Sequence, residues 1–290
     1  MRQRTHTIAV PIAALIAAMF CFQLGAVFAK GLFPAVGAAG TTALRMALAS
    51  IILLAVWRPW RLRLSRNEMR VIVIYGLALG CMNFCFYLSL SSIPLGIAVA
   101  LEFAGPLVLA MAASRRAMDF LWIAMAALGL LALLPRGSGS QSLDTSGIAF
   151  ALAAGVFWAA YIYFGRKAGA AHGGQTTALG MLIGAFVVVP VGALQAGARL
   201  LSPAVLPAAL AVALLSSAIP YSLEMLAMPK LPTRTVGVLM SLDPALGALS
   251  GLLFLGEHLS WLQWSAIAAI MAASAGSAAT SRDAPQLLPD

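Results

Sequence analysis

The segment Pro94-Leu-Gly-Ile-Ala-Val-Ala-Leu-Glu-Phe-Ala-Gly-Pro106 returns in the second half of the chain as Pro232-Thr-Arg-Thr-Val-Gly-Val-Leu-Met-Ser-Leu-Asp-Pro244. Both keep the same proline-to-proline spacing. The first proline (Pro94, Pro232) suits the start of a helix. The second (Pro106, Pro244) lacks an N–H and is expected to interrupt that helix midway. Each segment also places one carboxylate, Glu102 or Asp243, in an apolar run. A duplicated broken helix is a property of an architecture, so the rest of the chain is read around it.

The solvent follows from composition. Of 290 residues 62% are hydrophobic and only 9% charged, with a mean hydropathy of +0.95. Soluble domains carry about 25% charged residues. The apolar content excludes disorder, three cysteines exclude a disulfide scaffold, and long runs without period-2 alternation exclude a transmembrane barrel. A span needs about 20 residues; charge-free windows at 7–29, 71–101, 173–198, 200–223 and 259–281 anchor a reading of ten spans, at 7–29, 40–57, 71–91, 95–114, 119–135, 146–166, 175–195, 203–227, 233–255 and 260–280. The first follows a basic start like a signal peptide, but its charge-free stretch is longer than the usual apolar core of about 7–15 residues. It is expected to be retained.

The net charge of +9 is topological. Fourteen basic residues (Arg2, Arg4, Arg58, Arg61, Arg63, Arg66, Arg70, Arg115, Arg116, Arg166, Lys167, Lys230, Arg234 and Arg282) fall on one side of these spans, and only Arg136 and Arg199 on the other. The positive-inside rule then puts both termini in the cytoplasm. Membrane lipids are the expected surroundings and nucleic acid is not an expected partner. Five spans per half is an odd number, so the two halves, 7–135 and 146–280, should be inverted relative to one another, with 281–290 as a cytoplasmic tail. Inverted repeats with matching interrupted helices mark secondary transporters that bind substrate near the midplane; the plainer alternative is that the prolines merely kink packed helices.

At Lys30-Gly-Leu-Phe-Pro34, Trp57-Arg-Pro-Trp-Arg-Leu-Arg63, Ile93 to Pro106, Gly192-Ala-Leu-Gln-Ala-Gly197 and Leu231 to Pro244 the chain resembles the drug/metabolite transporter superfamily, EamA type. Within it the chain is similar to the bacterial threonine/homoserine exporters. The resemblance implies an inner-membrane efflux carrier, powered by an ion gradient rather than ATP, acting on a small amino acid. It predicts no cofactor and leaves monomer and homodimer both open.

Charges inside the membrane cost roughly 2.5–3.5 kcal/mol each at a helix centre unless paired or hydrated. Lys30, Arg45, Glu102, Glu224 and Asp243 have this position. Glu102 is the first candidate for binding a substrate ammonium group and for carrying the coupling proton; its structural alternative is an ion pair with Arg45 or Lys30. Asp243 either satisfies backbone freed by Pro244 or is a second proton-coupling group. Glu224 lines a site or pairs with Lys230. Arg45, and by family resemblance Lys30, are candidates for the substrate carboxylate, for which a guanidinium fork is suited.

Asn83 and Tyr87 share a helix face four residues apart, and Gln23, Trp158, Tyr161 and Tyr221 lie at comparable depth. Aromatic residues at this depth otherwise pack. Gly76-x-x-x-Gly80, Gly180-x-x-x-Gly184 and Gly247-x-x-x-Gly251 read as close helix packing. There is no P-loop, no zinc-protease motif and no nucleophile elbow, and Cys81 and Cys85 without further soft ligands read as packing, so no metal is expected. The expectation is an all-α polytopic membrane protein that exports threonine or homoserine against protons. A broader exporter of amino acids or amphiphilic metabolites stands second; an intramembrane enzyme using Glu102 and Asp243 is remote.

Overall fold

A computed structural model describes residues 2–112, 117–133 and 143–280. Among them the regular elements are helical: α1 (Arg2–Trp57), α2 (Arg66–Leu90), α3 (Leu95–Glu102), α4 (Ala104–Ala112), α5 (Ala117–Leu133), α6 (Thr145–His172), α7 (Gly174–Ala196), α8 (Leu206–Ala213), α9 (Ile219–Ala227), α10 (Thr233–Met240), α11 (Asp243–Leu255) and α12 (Trp261–Thr280). A π turn, Leu214–Ala218, joins α8 to α9. Among the described residues seven helices are long and apolar enough to cross a membrane, and Leu95–Leu109 and Phe120–Leu133 are shorter apolar helices. Large side chains such as Leu194 and Trp261 point outward, 89% and 91% exposed, as suits lipid rather than water.

Several expected boundaries move, each for a local reason. No loop separates residues 29 and 40. The chain stays helical there except at Gly37, whose φ of 71° and ψ of 171° are open in practice only to glycine, so α1 is two limbs joined at one residue. α2 starts before residue 71 because Ser65 and Glu68 form a capping box: the Ser65 hydroxyl accepts the Glu68 N–H at 3.3 Å, and the Glu68 carboxylate accepts the Ser65 N–H at 2.7 Å.

The expected helices at 95–114 and 233–255 are both interrupted, but not at their prolines. The breaks fall earlier, at Phe103 and at Ser241–Leu242. Pro106 and Pro244 then occupy the first turns of α4 and α11, where backbone N–H groups have no partner inside the helix and a missing one costs nothing. Pro94 and Pro232 stand at the N-caps of α3 and α10. Arg136 and the tail 281–290 lie outside the described residues, as do Arg115 and Arg116.

Small residues set the packing. α2 and α7 meet through the two glycine pairs: a Cβ on Gly80 would come within 2.7 Å of the Gly184 Cα, and one on Gly76 within 2.9 Å of the Gly180 carbonyl oxygen. α4 crosses α6 where Gly105 faces the Gly155 carbonyl with no room for a side chain. The molecule has two ends. At one, Lys30 meets Glu257 and Gly147 meets Ser92; at the other, Trp57 meets Gly174 and Leu15 packs with Leu231.

Candidate functional site

A cavity of about 1030 Å³ runs between these helices, lined at its inner part by Arg45, Glu102 and Asp243 and extending to Arg166, Gly173 and Pro229 at the second end. Arg45, on the second limb of α1, is 1% exposed. Its Nη1 donates to the Ser216 carbonyl at 3.1 Å and to the Ser217 hydroxyl at 2.6 Å, and its Nη2 to Asn83 Oδ1. The guanidinium lies over the Tyr87 ring, 4.6 Å from its centroid. Among the described residues Arg45 Nε has no hydrogen-bond partner.

Local sequence explains this cradle. Pro220 has no N–H to return to the Ser216 carbonyl four residues back, and the π turn loosens the same stretch. That carbonyl is then available to Arg45. Asn83 is held in turn, its Nδ2 donating to the Leu79 carbonyl at 2.8 Å, so Asn83 and Tyr87 use their shared helix face to grip one cation. Ser216 and Ser217 carried no expectation from the sequence; Pro220 within an apolar span was the signal available.

Three carboxylates face the same space. Glu102 is the last residue of α3 and Asp243 the first of α11, so each flanks the break of its own discontinuous helix. Glu224 projects from α9. They are 8%, 7% and 6% exposed. Among the described residues none of the three is in an ion pair, and Asp243 Oδ1 has no hydrogen-bond partner. Asp243, Glu102, Glu224 and Arg45 all line this cavity. Among the described residues the ion pairs raised as alternatives, Glu102 with Arg45 or Lys30 and Glu224 with Lys230, do not form. Gln23 donates to the Asp243 backbone carbonyl at 3.5 Å.

Aromatic rings complete the wall. Tyr161 stacks on Tyr75 with centroids 4.9 Å apart, Trp158 meets Phe103 edge-on at 5.6 Å, and Tyr221 meets Phe22 at 5.2 Å. All six line the cavity. Lys30 does not: its Nζ sits 2.6 Å from Glu257 Oε1 at the first end, away from the other candidates.

The EamA-like transporter family matches residues 145–278. Over 277 residues, 96% of this chain and 94% of the relative, the sequence is 54% identical to the threonine/homoserine exporter RhtA of Salmonella typhimurium; over 272 residues, 94% and 92%, it is 54% identical to RhtA of Escherichia coli. The chain belongs to the RhtA family of EamA-like transporters. Its membership makes it a transporter and not an enzyme. A more distant relative, the uncharacterized transporter YwfM of Bacillus subtilis, is 26% identical over 230 residues, 77% of each chain. A solved crystal structure superposes with a TM-score of 0.59 at 18% identity, covering 94% of this chain and 96% of the other, which speaks for the fold alone. For an EamA-like chain, the outward apolar surface and the buried polar cavity belong to a multi-pass membrane transporter.

Proposed function

We propose that this protein exports threonine and homoserine across the bacterial inner membrane in exchange for protons, by alternating access between two inverted five-helix halves with both termini in the cytoplasm. The observation that carries this reading is the buried guanidinium of Arg45, set among neutral acceptors and opposite unpaired carboxylates, in a chain 54% identical to RhtA. A zwitterion needs one group of each sign. Arg45 attracts the substrate carboxylate, Glu102 accepts the ammonium, and the side-chain hydroxyl meets the polar edge of Asn83 or the tyrosines.

Charge balance supports proton coupling. Three carboxylates, Glu102, Glu224 and Asp243, against the guanidiniums of Arg45 and, toward the opening, Arg166 leave the fully ionised cavity anionic, and a zwitterion does not change that. Protonation of a carboxylate neutralises that excess in a membrane, where unpaired charge is costly. Glu102 releases its proton inward as the ammonium arrives and takes one from outside after substrate leaves, with Asp243 sharing the excess charge. One proton moved down a potential of 100 mV supplies about 2.3 kcal/mol.

Ten spans follow if α1 is divided at Gly37 and the two shorter apolar helices are counted. The contact pattern supports inversion: α2 packs on α6 as α8 and α9 pack on α1, and α5 packs on α12, the last element of each half on the other. Arg58, Arg61, Arg166 and Lys230 lie toward the open end of the cavity, which the positive-inside rule makes cytoplasmic.

Counterflow of labelled threonine in liposomes holding only this protein tests the proposal. Wild type is expected to exchange threonine and homoserine, and Glu102→Gln to lose the pH-driven component. Intact proton-driven efflux in that variant would remove Glu102 from the mechanism. A second reading, broader export of amphiphilic metabolites, is favoured by the aromatic wall and by a volume at the upper end of the roughly 300–1,000 Å³ typical of ligand pockets. It predicts that bulky apolar amino acids compete with threonine.

A further inference from the structure

At the end of the molecule opposite the cavity's opening, a second polar assembly joins the two halves. α11 stops at Gly256, left-handed at φ 65° and ψ 24°, whose N–H returns to the Gly251 carbonyl; the Glu257 N–H donates to the same carbonyl at 3.0 Å. The turn folds the Glu257 side chain back over Gly251. A Cβ at Gly251 would overlap Glu257 Oε2, so a larger residue there would displace the carboxylate. Gly251 therefore makes space for a charge rather than for a neighbouring helix.

The carboxylate so placed has two partners in the first half. Glu257 Oε1 accepts Lys30 Nζ at 2.6 Å, and Oε2 accepts the backbone N–H of Leu95 at 2.7 Å. Leu95 is the first residue of α3, where the helix presents unpaired N–H groups and the positive end of its dipole. One side chain thus ties α1 and α3 to the α11–α12 turn. None of the three residues lines the cavity, but Ala26, one turn before Lys30, and Val99, one turn after Leu95, both do. The Lys30 and Glu257 side chains are 21% and 14% exposed, so water reaches the pair and can solvate both ions once they separate.

We infer that Glu257 is a positioning residue of the transport cycle: with Lys30 and the Leu95 N–H it forms a latch that closes the cavity at this end and parts each time the cavity opens there. The inference rests on the alternating-access reading above. A static staple would hold the same groups together in every state; a latch holds them in one. The two are separable because Glu257→Gln keeps an acceptor for the Leu95 N–H and removes only the ion pair, while Lys30→Met leaves the helix cap intact.

The test uses the full chain with Cys21, Cys81 and Cys85 replaced by serine and Ala26 replaced by cysteine, in vesicles, with a membrane-impermeant thiol reagent added on the Lys30 side. Labelling is expected to be slow in the parent, about tenfold faster in Glu257→Gln and in Lys30→Met, and slow again in the exchanged pair Lys30→Glu with Glu257→Lys. Labelling rates unaffected by all three changes would overturn the latch. A reducible bifunctional thiol reagent bridging Lys30→Cys and Glu257→Cys is expected to stop threonine counterflow until it is cleaved; exchange at full rate while bridged would also overturn it. Labelling needs no transported substrate. If it follows the ion pair while threonine is not exchanged, the substrate assignment fails and the latch stands.

Discussion

Arg45 is fixed by groups that are individually neutral, and this distinguishes it from a structural ion pair. Its hydrogen bonds go to a carbonyl, two hydroxyls and an amide, so the positive charge is oriented without being cancelled. Ser217→Ala removes one charge-assisted bond, worth about 1.5–3 kcal/mol. The expected result is a rise of about tenfold or more in the threonine concentration for half-maximal counterflow, with maximal rate less affected and Ser217→Thr restoring the parent value. Arg45→Lys is expected to fail, since a compact ammonium cannot span Asn83 and Ser217 at once. That Arg45, Asn83 and Tyr87 would meet was partly legible, because a four-residue spacing puts the last two on one face. The Lys30–Glu257 pair was not: its members are separated by most of the chain, and nothing local to either names the other.

Elements acquire their function here by being broken. Helical periodicity says that Pro106, Pro244 and Pro220 disturb something, but it does not say where the disturbance emerges. In α3–α4 and α10–α11 the gap moves ahead of the proline, and Glu102 and Asp243 are left beside it. In α8–α9 it appears as a free carbonyl at Ser216. Pro220→Ala returns an N–H to this stretch and lets a regular helix reclaim that carbonyl. Expected is weaker threonine exchange together with unchanged or raised thermal stability of the purified protein. The opposite trade applies where α2 meets α7. Gly80→Val forces a side chain into the Gly184 backbone, and overpacking costs about 1–3 kcal/mol or more. A lower melting temperature and lower yield of folded protein are the expected outcome.

On the scale of the whole molecule, the membrane class was legible from 9% charged residues, and the sidedness of the basic loops was the guide to orientation. The joint inside α1 was not legible. The interval 30–39 contains glycine and proline and looks like a connection, yet Pro34 is accommodated within the helix and Gly37 alone makes the turn. A Cβ at Gly37 would touch nothing within 4 Å, so Gly37→Ala tests backbone strain by itself. A destabilisation of about 1–3 kcal/mol is expected, read as a fall in melting temperature with little change in the expression of secondary structure by circular dichroism.

This one-residue joint also has a mechanical consequence. Lys30 stands on one limb of α1 and Arg45 on the other, with a single pivot between them and no slack loop to absorb displacement. The two residues ride on one bent crank. On the proposed reading, a substrate that shifted the guanidinium would tilt a limb whose joint lies only seven residues from Lys30, and parting of the Lys30 ion pair would act back on Arg45 through the same joint.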